Sequence, residues 1–249
     1  MPVTLPAHAA AVLPFFRFSR RGVLPTALVV GACAPDLSYV YAVRRLGDYA
    51  HEFPGFVLFC VPVGLAVLVW LEALVFPALR LALPEAGGVQ WGRFVRTGGM
   101  PRTPLAWGAT AAALVLGATT HVLWDGFTHH TMWPADVLYP DVLVSAGSRD
   151  LPLARVLQHA SSLVGSLVVL AYMAHRYRHL EPVPGGSRAD FLRVLLPTVA
   201  GALLGLALRL SRYQDMGALE AQLWWAFWPT VTGALVGLTV GCAFVRWRA

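Results

Sequence analysis

The sequence contains no lysine, so all nineteen of its Lys+Arg residues are Arg. Charge of either sign is scarce: 13% of the 249 residues are Asp, Glu, Lys or Arg, whereas 57% are hydrophobic and the mean hydropathy is +0.61. Soluble domains carry about 25% charged residues, so water is not the main solvent of this chain. The three cysteines, Cys33, Cys60 and Cys242, lie in apolar surroundings without CxxC spacing. That excludes a disulfide framework and a thiolate zinc site, and the cysteines read as small hydrophobes. Met1 to Arg21 lack a basic start, a continuous apolar run and a small-residue cleavage site, so they do not read as a secretory signal peptide and are expected to remain in the mature protein. The net charge of +6 and pI of 9.7 come without a basic stripe interleaved with aromatics, which argues against nucleic acid as a partner.

What the chain has instead is long apolar runs. A helix needs about 20 mostly apolar residues to cross the hydrocarbon core of a bilayer. Runs of that kind lie at Phe56 to Leu79, Pro104 to Asp125, Leu153 to Ala174, Phe191 to Leu210 and Leu223 to Val245, and a sixth, Val23 to Val43, is interrupted by Pro35-Asp36. The expected fold is all-α, a polytopic transmembrane helix bundle of five or six spans. It forms one membrane-embedded domain over 1–249, with 1–52 as an N-terminal part and 54–249 as the main bundle. Arg80, Arg93, Arg96 and Arg102, then Arg176, Arg178 and Arg188, then Arg246 and Arg248 fall in alternate loops and at the C-terminus. The positive-inside rule places these on the cytoplasmic side. The intervening loops, carrying Asp136, Asp141 and Asp150 or Asp215 and Glu220, then face outward, where Trp133, Trp224, Trp225 and Trp228 fit interfacial anchoring or packing.

Polar residues that interrupt these runs are the candidates for chemistry. His121, Asp125 and His129 follow one another at one-turn spacing in His121-Val-Leu-Trp-Asp125-Gly-Phe-Thr-His129-His130. On a continuing helix they share one face, drifting about 40° per step. Imidazole nitrogen and carboxylate oxygen in that arrangement suit Zn²⁺ or another borderline divalent ion; the bland alternative is a set of cap and turn residues at the bilayer surface. Asp36 sits inside an apolar segment, where a bare charge costs about 3 kcal/mol or more. Its partner is either a metal ion, with His51 on the outer side as a further ligand, or Arg44, Arg45 or a helix N-terminus opened by Pro35. His159, on the outer side of the fourth long run, faces the same region as His121. His8 lies in a short helix start with Thr4 or Pro6 near its N-terminus. His130 and Asp215 are candidate supporting groups, His175 and His179 belong to a solvated inner cluster, and Glu72 is expected near the opposite leaflet, paired with a buried polar group.

His8 poses a topological choice. If Val23 to Val43 spans and the N-terminus is cytoplasmic, as Arg17, Arg20 and Arg21 suggest, His8 lies on the wrong face. The alternative is a re-entrant or half-embedded pair of helices over the first 50 residues, which leaves five spans and unites the polar residues while placing five Arg outside. Broken helices with proline are tolerated at membrane depth where they line a cavity, and this second arrangement is the one expected.

Met1-Pro-x-Thr-x-x-x-His8, Gly31-x-x-Ala34-Pro35-Asp36, His51-x-x-Pro54-Gly55, Gly117-x-x-x-His121-x-x-x-Asp125-x-Phe127-Thr128-His129 and Leu157-Gln158-His159 together resemble an uncharacterised bacterial membrane family, domain of unknown function 4184. The family is itself similar to predicted membrane-bound metal-dependent hydrolases and, more distantly, to the zinc-dependent phospholipase C fold. That resemblance implies metal ligands at His8, Asp36, His51, His121, Asp125, His129 and His159. His8 would serve one zinc, Asp36, His51, His121 and Asp125 a second, Asp125 would bridge, and His129 with His159 would serve a third. The residue four after His159 is Leu163 rather than Glu, and Met1 replaces a ligating N-terminal amine, so one or two ions are expected and three is the upper bound. The implied activity is a metal-dependent hydrolase of the bacterial cytoplasmic membrane with its site on the outer face. Asp36 or Asp125 would act as base, and a phospholipid or lipid-linked phosphate is the expected substrate. The chief alternatives are an ion or proton transporter, against which stand the absence of an internal repeat and the clustering of polar residues at one leaflet, and a non-catalytic module stabilised by metal.

Overall fold

A computed structural model describes residues 5–18, 22–41, 44–95, 97–147, 149–211 and 219–248. Two short helices, α1 (Leu5–Val12) and α2 (Leu24–Cys33), are followed by a 3₁₀ turn at Pro35–Tyr41 and by α3 (Arg44–Ala50). Then come the long helices: α4 (Phe53–Ala82), α5 (Pro104–Thr128), α6 (Leu153–Tyr177), α7 (Arg188–Leu210) and α8 (Leu219–Arg248). α4, α5, α6, α7 and the Ala226–Arg248 part of α8 are five helices long and apolar enough to cross a membrane. The extended pieces are two small antiparallel hairpins in the connecting loops, Glu85–Ala86 with Val89–Gln90 and Leu143–Ala146 with Arg149–Pro152.

Local chemistry accounts for the helix limits. Pro104 opens α5 directly after Thr103, whose hydroxyl accepts from the Ala106 N–H at 3.2 Å, an N-cap followed by proline where no N–H is needed. Ser187 caps α7 in the same way, accepting from the Asp190 N–H at 3.0 Å. Within α4 the helix widens to π-helical turns at Phe56–Cys60 and Leu71–Val75, each followed within two residues by proline, Pro62 or Pro77. Proline has no N–H to give the carbonyl four residues back and collides with it; a wider turn relieves both effects and lets one helix run for 30 residues. Large apolar side chains such as Leu163, Leu167, Leu170, Leu196, Leu203 and Val240 are exposed along α6, α7 and α8, as a lipid-facing surface requires.

Val23 to Val43 does not form a sixth span. α2 contains 10 residues, rising about 15 Å, roughly half the hydrocarbon thickness, and the chain turns at Pro35. α1 and α2 instead make a hairpin that enters the bundle and returns. Ala7 lies against Gly165 of α6, the Phe16 ring meets Tyr172 of α6 at 5.8 Å, and the turn at Gly22 presses on Gly98 just before α5. Phe16, and so the adjacent Arg17, therefore lies toward the Arg-rich end of the bundle, while His8 lies at the other end. This removes part of the charge conflict of a re-entrant N-terminus. Arg20 and Arg21 lie outside the described residues.

α2 is seated on α5 by glycine. A Cβ on Gly31 would fall 2.3 Å from the Leu114 carbonyl oxygen, and one on Gly117 would fall 2.4 Å from that of Leu28, so only hydrogen allows the two backbones to approach. Buried Leu28, Leu68, Leu114 and Val30 fill the space around the crossing. α7 and α8 pair similarly through Gly201, Gly205, Gly233 and Gly237. They dock on α4 through Val75, Ala78, Val194 and Cys242 and through a 3.1 Å hydrogen bond from Trp70 Nε1 to Thr239. Cys33, Cys60 and Cys242 form no disulfide among the described residues. Trp133 is 72% exposed and fits an interfacial anchor, whereas Trp228 is buried; the side chains of Trp224 and Trp225 lie outside the described residues.

Two outcomes follow from this packing. In a cysteine-free background, an impermeant maleimide should label Leu138→Cys from the same face as an N-terminal tag, and Glu181→Cys and Trp247→Cys from the opposite face; a tag on the face of Trp247 would refute the hairpin. Gly117→Ala should lower stability by about 1–3 kcal/mol and the thermal midpoint by about 2–10 °C. Gly108→Ala on the same helix, where an added Cβ meets nothing within 4 Å, should not.

Candidate metal centre

The C-terminal third of α5 brings His121 and Asp125 to one buried face; His121 is fully buried and Asp125 is 5% exposed. The crossing with α2 places the Ala32 carbonyl 2.8 Å from His121 Nδ1. A carbonyl only accepts, so Nδ1 carries the proton and Nε2 is left with its lone pair. His51, just after α3, repeats the pattern: its Nδ1 donates to the Gly47 carbonyl at 2.8 Å. The 3₁₀ turn after α2 places Asp36 between the two rings, with Oδ1 at 3.8 Å from both His51 Nε2 and His121 Nε2. Asp125 Oδ2 lies 3.3 Å from His121 Nε2 on the other side. His8 completes the group from α1. It is fully buried, its ring stacks on His121 at 3.9 Å between centroids, and its Nε2 is 3.4 Å from Asp125 Oδ1.

These separations discriminate between two chemistries. A nitrogen-to-oxygen hydrogen bond spans about 2.7–3.2 Å, and His121 Nε2 and Asp125 Oδ1 are buried without a hydrogen-bond partner among the described residues. Around a tetrahedral zinc with bonds of about 2.0–2.1 Å, neighbouring ligand atoms lie about 3.3 Å apart. The pairs at 3.3 and 3.4 Å have that edge length. Imidazole nitrogens also face carboxylate oxygens here, and with the rings neutral, lone pair would meet lone pair, an arrangement that a cation in the middle would make favourable. Histidines whose far nitrogen donates to a backbone carbonyl are the form in which proteins present Nε2 to a metal. Among the described residues, two groups have all their ligand atoms within 4.8 Å of one another, His8 with His121 and Asp125, and Asp36 with His51 and His121. The donor set fits a divalent ion.

His129 lies beside this pair of groups. α5 ends at Thr128, and His129 has extended backbone with φ −118° and ψ 117°, so it is not carried on the helix face as continuous spacing implies. Its ring nevertheless turns back, with Nδ1 3.6 Å from Asp125 Oδ1. Its Nε2 is 2.7 Å from the amide nitrogen of Gln158, which is 6% exposed. His159 is exposed and belongs to neither ligand group; the bundle brings in the preceding residue instead. Gln158 shares a helical face with the small residues Ala154 and Gly165, and these three form the buried stripe of α6. Arg44 and Arg45 have side chains outside the described residues, as do those of Thr4, Pro6 and Asp215. His130 is exposed. His175 and His179 meet each other edge to face at 5.4 Å at the far end of α6. Glu72 is buried there too, its two oxygens accepting from the Gly98 and Gly99 N–H groups at 3.1 and 3.0 Å.

Burial dominates the acid–base state at the open edge of the site. It pushes the Asp36 carboxyl above its ordinary range, against the pull of His121, and with repulsion from His121 it holds His51 below the ordinary imidazole value. A neutral His51 is the ligating form.

The family model described as domain of unknown function (DUF4184) matches residues 1–246. The chain belongs to the DUF4184 family. Comparison with curated proteins and with solved structures gave no match. The match extends through α7 and α8 to residue 246, beyond the motifs that end at His159.

If Gln158 orients His129 at the site's edge, Gln158→Ala should weaken retention of a divalent ion about tenfold, the lower end of what removal of an orienting partner costs. His159→Ala should leave it unchanged. Metal titration of both purified variants checks the pair, and the reverse order of effects would restore His159 as a ligand.

Proposed function

We propose that this DUF4184 protein is a membrane-embedded, metal-dependent hydrolase of the bacterial cytoplasmic membrane, acting on phosphoesters of lipid headgroups from the outer face. The observation that carries the reading is the set of imidazole nitrogens and carboxylate oxygens that face one another at 3.3 to 3.8 Å, with His121 Nε2 and Asp125 Oδ1 buried without a hydrogen-bond partner among the described residues. Asp36, His51, His121 and Asp125 Oδ2 would hold one divalent ion, zinc by donor type. Asp125 Oδ1 with His8 forms a second lobe, so Asp125 would bridge if a second ion binds; His129 would join it as a ligand only with the Gln158 amide turned to accept from Nε2 and Nδ1 left free. Because His121 has a single free nitrogen, it serves one ion only.

Bound there, a divalent ion supplies Lewis acidity and brings the acidity of water to near neutrality. The chain's own groups do the rest. His8 and His121 close the inner wall, while the side chains of Asp36, His51 and His129 remain 16, 13 and 18% exposed. Four protein ligands fill a tetrahedral zinc, so catalysis here would require the ion to expand to five-coordination or Asp36 to release it at the exposed edge; that exposure is what favours catalysis over a purely stabilising role. Asp36, on that edge, is the carboxylate placed to take a proton from water, and Asp125 holds His8 and His121 in register from behind. His121 lies seven positions before the end of α5, about 10 Å below it, a depth at which lipid headgroup esters are within reach. The Arg-bearing loops at the opposite end support an outward-facing site. Clustering at one end of the bundle, away from its midpoint, weighs against a transport pathway.

Purified protein should retain at least about one equivalent of transition metal, and His121→Ala and Asp125→Ala should each lose it. Phospholipid or lipid-phosphate hydrolysis should disappear on chelation and return with Zn²⁺, and Asp36→Asn should lower the rate about 100-fold or more. Metal content below one equivalent and unchanged by both substitutions would defeat the metal centre. Full metal without hydrolysis of any phosphoester offered would leave a non-catalytic metal module.

A further inference from the structure

The far end of the bundle holds a second cleft that the metal centre does not use. It has a volume of about 530 Å³ and is lined by Pro77, Arg80 and Leu81 of α4, Thr97, the 183–185 strap and Arg246 of α8. The strap is fixed in place: the Gly186 N–H donates to the Leu83 carbonyl at 2.8 Å, and a Cβ on Gly186 would fall 2.4 Å from the Leu81 carbonyl oxygen. Two arginines from different helices therefore line one cleft. Arg193 and Arg93 at this end have partners, an ion pair with Asp190 at 2.5 Å and the Leu180 carbonyl together with the Tyr177 ring, and what sets Arg80 and Arg246 apart from the remaining arginines is that both line the cleft. Arg80 and Arg246 have no carboxylate partner among the described residues.

From this geometry we infer that the cleft binds the phosphate headgroup of an anionic glycerophospholipid in the leaflet at the Arg-rich end of the bundle. Three features select that ligand. Arg80 and Arg246 each sit two residues before the end of a helix long enough to cross a membrane, which is headgroup depth. Two unpaired guanidiniums match a phosphate, which they can bond in planar forks. Pro77, Leu81 and Val183 supply an apolar wall, and Leu81 is 44% exposed, continuing the cleft toward the acyl chains; a site for free phosphate has no use for that wall. Basic pockets between membrane helices on the cytoplasmic side recognise anionic headgroups by this chemistry.

Native mass spectrometry of the full-length protein released from bilayers mixing phosphatidylglycerol and phosphatidylcholine tests the assignment. The expected result is retention of phosphatidylglycerol with about tenfold preference. The preference should be lost in the Arg80→Gln/Arg246→Gln double variant, restored in part by Arg80→Lys/Arg246→Lys, and kept in Arg102→Gln/Arg176→Gln, which removes the same charge at the same end but outside the cleft. Equal loss in both Gln pairs would reduce the effect to diffuse surface charge and overturn the site. Stabilisation of the protein by inorganic phosphate, with no lipid retained, would overturn the lipid assignment. Circular dichroism melting in phosphatidylcholine alone, unchanged among variants, separates lost binding from lost folding.

Discussion

His121 donates from Nδ1 to the carbonyl of Ala32, and the rest of the centre depends on that bond. It ties α5 to α2, fixes the tautomer, and leaves Nε2 aimed between two carboxylates. The bond is available only because Gly31 and Gly117 let the α2 and α5 backbones approach more closely than any Cβ permits. A larger residue at either position would move Ala32 away, free the ring to rotate and uncouple Asp36 from Asp125. The packing of two apolar helices and the electrostatics of a polar site are thus set by the same crossing.

That crossing also explains the N-terminal hairpin. α2 must run beside α5 for the Ala32 carbonyl to reach His121, and it must stop at Cys33 for Asp36 to turn in toward the same nitrogen. α1 then has to descend from the site so that α2 can climb back to it, which puts His8 on top of His121 at ring-stacking distance. Irregular backbone inside a membrane protein is tolerated where it lines a cavity and finds internal partners. Ser38, bonded to the Pro35 carbonyl at 2.6 Å, shows how the 3₁₀ turn meets that requirement locally.

Most of this was legible in the sequence, for reasons that differ by residue. The five long helices announce themselves by length and hydropathy, which need no tertiary information. His121 and Asp125 were legible because a helical period alone puts them on one face. Asp36 and His51 could be suspected from cost, since a carboxylate in an apolar run needs a partner, but which partner depended on the α2–α5 crossing. The α1–α2 hairpin was only one of two readings, because hydropathy cannot tell an apolar run that crosses from one that turns at Pro35. His129 reaches Asp125 from an extended residue and not from the helix face that its spacing suggested. His159 is exposed where its neighbour Gln158 is buried: a helix rotates 100° per residue, and a histidine at a helix end gives no information about which way it points. The small residues Ala154 and Gly165 did mark the buried side of α6, and Gln158 shares it.

The two ends of the bundle are chemically opposite, and α4 connects them. Its N-terminus follows His51 directly, its last turn carries Arg80, and between them Glu72 accepts from the Gly98 and Gly99 N–H groups beside the hairpin turn. A buried carboxylate left with no donor would cost several kcal/mol; given two backbone N–H groups it becomes a clamp. That clamp holds the loop before α5 against Gly22, and so holds both helices of the crossing at their far ends. The geometry of the His/Asp centre therefore rests on contacts at both ends of the bundle: the Ala32 carbonyl sets the direction of His121, and Glu72, about 28 Å along α4 from Phe53, sets the register of the helices that carry it.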